Sequence, residues 1–480
     1  MKYDTVIGLE VHAQLATRSK MFCGCATTFG APPNSQTCAI CQGMPGVLPV
    51  VNRRAVQFAV RAALALNLRV NAACRFARKH YYYPDMPKNF QISQYEEPLA
   101  EDGWLEIEIG GATRRIGIQR LHLEEDVGKL VHEGDFATAA SSLVDYNRAG
   151  VPLMETVSRP DLRSPEEAAT YLKAFRAVLV ALGVCDGNME EGSLRCDANI
   201  SLRPRGAAQL GTKVEIKNVN SFRNVQRALE YEVGRQAAAL EAGERIVQET
   251  RLFDADRGTT HSMRSKEYAH DYRYFPEPDL VPLQMDPAWV ESARAALPEL
   301  PRAQKQRFVT EYGLPDYDAA ILTESPERAK YYEDAVAVHR NPKAISNWIM
   351  TDLLREIDDR GETLVTRNVP PGNLAELVTF IDNGTISGKI AKDVFAEMVQ
   401  TGLTCDAVVR QKGWVQESDP ARLEALVDQA IAGNPKAVAD FKGGKTAAAK
   451  ALVGQVMRAS GGKANPAMVD RLVQEKLSRI

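Results

Sequence analysis

Four runs in the first part of the chain alternate apolar and polar side chains with a period of two, and this pattern constrains the fold most. Leu9, Val11, Ala13 and Leu15 form an apolar face, with Glu10, His12 and Gln14 opposite. Leu194, Cys196, Ala198, Ile200 and Leu202 alternate with Arg195, Asp197, Asn199, Ser201 and Arg203. Val214 and Ile216 alternate with Lys213, Glu215 and Lys217, and a further run spans Ile116 to Asp126. A strand places residues i, i+2 and i+4 on one face, so each run buries one side and presents the other. A half-solvated antiparallel sheet shows the same alternation. Ordinary solvent faces, however, are rich in Thr, Ser and Lys. Here acids, a histidine and cations stand at matched positions. Carboxylates converging with a histidine suit a hard cation such as Mg²⁺, and neighbouring Arg and Lys suit phosphate oxygens. The faces alone select Glu10, His12, Asp197 and Glu215.

The chain has 480 residues, enough for roughly two to four domains. Pro276, Pro278, Pro282, Pro287, Pro298 and Pro301 crowd one stretch, which reads as a linker because proline resists helix and sheet interiors. Beyond Arg302 the pattern turns helical. Asn341-Pro342 makes a helix start, with Ile345, Trp348, Ile349, Leu353 and Leu354 at helical spacing behind it. From near Gln411, Leu423, Leu426, Val427 and Ile431 form another stripe, and Asn434-Pro435 and Asn465-Pro466 open further helices. The expected fold class is α+β. A first domain built on an antiparallel sheet with flanking helices is expected over 1–292. An all-α domain spans 293–408, and a small all-α tail spans 409–480.

The net charge of −3 argues against a globally basic nucleic-acid binder. It conceals a polarity. Residues 434–480 carry nine basic residues, from Lys436 to Arg479 and including Lys445, against Asp440, Asp470 and Glu475. That local excess of +6 leaves −9 elsewhere and suits either a solvated helical face or a nucleic-acid contact. No apolar run reaches the ~18 residues of a membrane helix, and MKYDTVIGLE has no signal-peptide core, so a cytoplasmic protein is expected. In a reducing compartment the eight cysteines are poor disulfide candidates. Cys23, Cys25, Cys38 and Cys41 form C-x-C…C-x-x-C, a spacing that can supply four thiolates to a structural Zn²⁺. Common nucleotide signatures are missing. Gly443-Gly444-Lys445-Thr446 ends like a P-loop, but Ala439 occupies the leading glycine position.

Longer motifs add a resemblance. They are Ile7-Gly8-Leu9-Glu10-Val11-His12, the cysteine cluster, Lys79 to Asp85 with Pro87-Lys88-Asn89, and His122-Leu123-Glu124-Glu125-Asp126. Met189 to Asn199, Glu215-Ile216-Lys217-Asn218 and His270 to Pro276 complete the series. Together they resemble the B subunits of bacterial aspartyl/glutamyl-tRNA(Asn/Gln) amidotransferases over essentially the whole chain. The basic tail resembles that family's helical tail module.

The resemblance implies a carbon–nitrogen ligase that uses glutamine as amido donor. ATP and Mg²⁺ serve to phosphorylate the side-chain carboxylate of a mischarged Glu-tRNA(Gln) or Asp-tRNA(Asn). Ammonia arrives from an amidase (glutaminase) subunit, within a heterotrimer completed by a small third subunit. Carried over by position, Glu10, His12 and Glu125 are the implied Mg²⁺ and catalytic residues, with Glu155, Asp197 and Glu215 as further carboxylates. Glu125 has motif support only, since strict alternation sets it opposite His122 and Glu124. Glu155 rests on its resemblance alone. Lys79, Lys88, Arg195 and Lys217 are the expected contacts to phosphate or the tRNA terminus. Two rivals remain: a free-standing aminoacyl-tRNA synthetase, whose His-Ile-Gly-His and Lys-Met-Ser-Lys-Ser signatures are absent, and a non-catalytic zinc-stabilised tRNA-binding scaffold.

Overall fold

The structure is a computed structural model and describes residues 2–132, 141–263, 272–414, 419–443, 447–461 and 463–479. His270 and Asp271 of the last motif, and Gly444, Lys445 and Thr446 of the tail, lie outside the described residues. The chain divides into two compact units, Met1–Pro301 and Arg302–Ile480.

The first unit is α+β. Its strands are β1 (Tyr3–Gln14), β2 (Arg69–Val70), β3 (Ala73–Cys74), β4 (Ala77–His80), β5 (Phe90–Ser93) and β6 (Ala100–Ile109). β7 (Ala112–Glu125), β8 (Lys129–His132), β9 (Ser142–Asp145), β10 (Pro152–Ser158) and β11 (Leu194–Pro204) follow. The last are β12 (Val214–Lys217), β13 (Thr250–Asp254), β14 (Thr259–Ser262), β15 (Phe275–Pro276) and β16 (Leu283–Gln284). Nine of them form the main sheet, in the order β14-β13-β12-β11-β1-β10-β7-β6-β2. The sheet is mixed rather than wholly antiparallel, because β12 and β13 run parallel. A parallel pair needs a crossover, and helix α3 (Phe222–Glu241), numbered after α1 (Arg53–Ala65) and α2 (Pro165–Ala181), supplies it.

Alternation holds along the central strands. Leu9, Val11 and Ala13 are buried in the core, as are Leu194, Cys196, Ala198 and Ile200. The three helices pack on this apolar side. Each fully buried Leu, Ile or Val there contributes on the order of 1.5–3 kcal/mol. Each helix has a side-chain cap: Asn52 accepts from Arg54 and Ala55, Ser164 from Glu167, and Ser221 from Asn224. Asn52 also donates to Ser19 O at 3.0 Å and Lys20 O at 3.1 Å, tying the start of α1 to the segment before the cysteines. The proline-dense stretch is not a free linker. It contains β15, β16 and the helix Pro287–Ala295, capped by Asp286, and Trp289 and Val290 pack on the first unit's core. Proline is tolerated here because it takes a first helical position or short edge strands.

The second unit is helical and holds two hydrophobic clusters, one running from Phe308 to Val409 and the other from Leu423 to Leu477. Asn341 caps the helix Pro342–Trp348 through Ala344 N–H, 3.2 Å. A π-helical turn, Ile349–Leu353, follows directly. Asn465 likewise accepts from Ala467 and Met468 at the start of Pro466–Arg479. Asn434 precedes the helix Pro435–Lys442 but makes no side-chain cap, because its amide pairs with Gln455 instead. No helix among the described residues is long and apolar enough to cross a membrane.

Candidate active site

The polar face of the main sheet collects its groups by register. Asn199 lies opposite Glu215 on one side and Gly8 on the other, and Glu10 lies opposite Asp197. His12 lies opposite Arg195 on β11 and Glu155 on β10, and Glu155 in turn lies opposite His122 on β7. One face therefore runs from Glu215 to His122 across five strands.

His12 is the centre. Its Nε2 lies 3.3 Å from Glu155 Oε2 and 4.0 Å from Glu124 Oε1. His122 Nε2 stands 3.5 Å from the same Glu155 oxygen and 3.7 Å from Glu124 Oε2. One ligand atom each from His12, Glu124 and Glu155 lies within 4.8 Å of the others, close enough for a single cation. Burial alone would push the His12 pKa down. The hydrogen bond and charge of Glu155, with Glu124 and Asp197 behind, outweigh burial and hold the ring above its ordinary value. Burial acts the other way on Glu155, yet His122, His12 and Lys79 hold that carboxylate well below the usual range. Glu124 is also held down, against burial, by His122 and Lys79. Glu10 differs: burial, then Glu155 and Glu215, push its carboxyl up, with Asn199 Nδ2 donating to it at 2.9 Å. A cation at this face would relieve that repulsion.

Glu125 does not join this cluster. Its carboxylate accepts from Lys88 Nζ and from Ile92 N–H (3.0 Å), on the other face of β7 from His122 and Glu124. Of the expected Glu10, His12 and Glu125, the last points away, and Glu124 stands beside His12, because side chains alternate strictly along a strand. Lys88 leaves the polar face with Glu125. Against burial, the charges of Glu124 and Glu155 push the Lys79 pKa up, and Lys217 Nζ bonds Asp197 Oδ2 at 2.7 Å and lies 3.3 Å from Glu215. Arg195 donates to Asp126 Oδ2 at 2.9 Å. Buried Asp126 also accepts from Gln14 Nε2 at 2.7 Å and from Val127 N–H at 2.8 Å, so it orients Arg195 from below.

Glu124, His122 and Asp126 were visible in the sequence only as parts of a motif. Alternation from His122 singles out Glu124 in the same run. No local pattern singles out Asp126, whose partners come from β1 and β11.

Cys23, Cys25, Cys38 and Cys41 converge, with their sulfurs within 4.8 Å of one another. A Cys23 hydrogen bond, Cys38 N–H and the charge of Lys20 all lower the Cys41 thiol, against burial. Lys20, 1% exposed, lies 3.6 Å from Cys41 Sγ and 3.1 Å from Tyr146 O. Four convergent soft donors fit a metal such as zinc and leave no open position, so the site can hold a structural ion. A cavity of about 150 Å³ joins this cluster to Lys88 and Glu125. At its wall Gly150 has φ +87°, and a Cβ there would meet Cys41 and Lys20 at 3.4 Å.

A family model described as GatB/GatE catalytic domain matches residues 5–291, and one described as GatB domain matches 330–477. The chain is 55% identical over 479 residues to the B subunit of the aspartyl/glutamyl-tRNA(Asn/Gln) amidotransferase of Carboxydothermus hydrogenoformans, covering 100% of both chains. It is 54% identical to the protein of that name from Thermodesulfovibrio yellowstonii, over 98% of this chain and 99% of the relative. For that from Geobacter sulfurreducens the figures are 53%, 99% and 100%.

Proposed function

The chain belongs to the family of aspartyl/glutamyl-tRNA(Asn/Gln) amidotransferase B subunits, and from that premise we propose that its polar sheet face activates the side-chain carboxylate of Glu-tRNA(Gln) or Asp-tRNA(Asn) with ATP. The observation that carries this reading is the convergence of His12, Glu124 and Glu155 among flanking cations. A carboxylate is a poor electrophile, because attack on it would expel oxide. Transfer of the γ-phosphoryl group to its oxygen, with ADP leaving, creates a good leaving group. Ammonia then adds to the acyl carbon, phosphate departs, and loss of a proton leaves the amide.

His12, Glu124 and Glu155 are the residues that would hold Mg²⁺, with Glu10, Asp197 and Glu215 along the same face. A bound Mg²⁺ supplies charge neutralisation to the phosphates. Lys79 and Arg195 steady the anionic oxygens, and Asp126 keeps the Arg195 guanidinium aimed. Lys217 offsets Asp197 and Glu215. Enclosure keeps water from the acyl phosphate and keeps ammonia unprotonated. The partners are an amidase, which releases ammonia from glutamine, and a small third subunit. The helical unit and its basic tail grip the tRNA body, with 1–292, 293–408 and 409–480 as the functional divisions.

The test is transamidation by the reconstituted complex, with Glu-tRNA(Gln) and Asp-tRNA(Asn) offered separately. Mischarged tRNA should trigger ATP hydrolysis. Binding without that hydrolysis would favour a tRNA-binding scaffold, and amino-acid-dependent ATP–pyrophosphate exchange would favour a synthetase.

A further inference from the structure

The small sheet β15-β4-β5 borders a group of aromatic side chains that the activation chemistry does not use. Lys79 on β4 pairs with Gln91 on β5, so Lys79, Gln91 and Ser93 share one side, and Tyr95 continues it just past the strand. Ser93 Oγ donates to Glu124 Oε2 at 3.1 Å, which brings this side against the His12 cluster. Next to it, Tyr95 and Tyr274 stack with ring centroids 4.2 Å apart and planes 7° apart. Tyr272 meets Tyr274 edge-on at 6.0 Å, and Lys79 Nζ stands 5.1 Å from the Tyr272 ring. Arg120, 4.0 Å from Glu155, lies 5.8 Å from the Tyr95 ring. Tyr95 remains 46% exposed. A large ring left open beside a charged cluster, with cations around it, is the composition of a single-stranded nucleic-acid site.

We propose that Tyr95 and Tyr274, with Tyr272 beside them, stack the unpaired bases at the 3′ end of the acylated tRNA. The inference rests on the activation reading above and adds to it the subsite that positions the substrate. The acyl group is esterified to the terminal ribose, so the terminal base must lie within one nucleotide of the reacting carboxylate. The aromatic face lies beside the acid–histidine cluster and offers π-faces to any base, while Arg120 suits the backbone charge.

The test measures the reconstituted complex for KM toward mischarged tRNA, KM toward ATP, and glutaminase activity. Tyr95→Ala should raise KM for mischarged tRNA about 5- to 150-fold, from the usual worth of one stacked base. KM for ATP and glutaminase activity should stay within about two-fold. Tyr95→Phe keeps the ring and should recover most of the loss. Affinity for tRNA trimmed of its unpaired 3′ nucleotides should be the same in wild type and Tyr95→Ala. An unchanged KM for mischarged tRNA overturns the proposal, as does a rise in KM for ATP instead. A Phe variant as impaired as the Ala variant also overturns it, because the hydroxyl and not the ring would then matter. Failure of the wild-type complex to activate any mischarged tRNA is a different result and refutes the activation reading itself.

Discussion

Gln14 and Asp126 hydrogen-bond across 112 residues of sequence, whereas in the helical unit Asn341 finds its partner at Ala344, three residues on. The contrast runs through both units. In the sheet unit each functional side chain is positioned by register: His12 meets Glu155 because β1 and β10 pair there, and meets Glu124 because β7 lies beyond. In the helical unit, order comes from local caps and two apolar clusters, with surface ion pairs such as Lys476–Asp428 at 2.7 Å. Chemistry that needs several charges at one point belongs on the first kind of scaffold. A broad electrostatic grip needs only the second.

The register-built cluster carries the largest expected effect. His12→Ala should lower ATP-dependent activation by about 10²–10³-fold, the usual scale for one preorganised charged contact, while the partner's glutaminase activity persists. Near-wild-type activity in His12→Ala, with complete loss in Glu125→Ala, would move the chemistry to the other face of β7.

The cysteine cluster is the next largest effect. Freshly purified protein should hold about one zinc per chain, and Cys41→Ser should lower the melting temperature and the zinc content together. Metal-free protein with unchanged stability would leave these cysteines as packing residues. For the helical unit, deleting residues 411–480 should weaken tRNA binding and flatten its salt dependence by about 0.9 for each phosphate that the removed residues neutralise. An unchanged affinity across salt would make the basic tail a solvated face.

A smaller effect sharpens the cluster itself. Glu155→Gln should lower the His12 pKa, measured by NMR titration, because burial then acts without its main opposing charge. The sign for stability follows from the depressed Glu155 pKa. Its contribution is present above the ordinary carboxylate range and is lost as pH falls through the depressed value. The wild-type advantage over Glu155→Gln should therefore shrink in acid. An advantage that grows in acid contradicts the ionised assignment. Smallest are the caps: Ser164→Ala and Ser325→Ala should each cost about 1 kcal/mol in denaturant melts. A cost several times larger at Ser325 would show that the helical unit depends on more than local order.

Much of this was legible beforehand. The strand faces of Leu9–Leu15 and Leu194–Arg203 could be read from alternation, as could the helix starts at Asn341-Pro342 and Asn465-Pro466 from capping chemistry. The four cysteines were legible from spacing. Other features were not. Asn434 has the same local signature as Asn341, yet Gln455 takes its amide. The parallel β12–β13 pair depends on where α3 returns the chain. The proline-dense stretch read as a linker because its prolines are local signals, while the core that receives Trp289 and Val290 is not.

By itself the sequence determined which residues face together along each strand, where helices begin, and that a basic tail balances an acidic bulk. These are properties of backbone period and neighbouring side chains, so they need no distant partner. Only the tertiary structure decided that Glu124 and not Glu125 stands beside His12, that Asp126 aims Arg195, and that Tyr95 stacks on Tyr274 next to that cluster. Those outcomes depend on register and sheet order, which arise when strands remote in sequence pair, and a charge cluster exists only after that pairing.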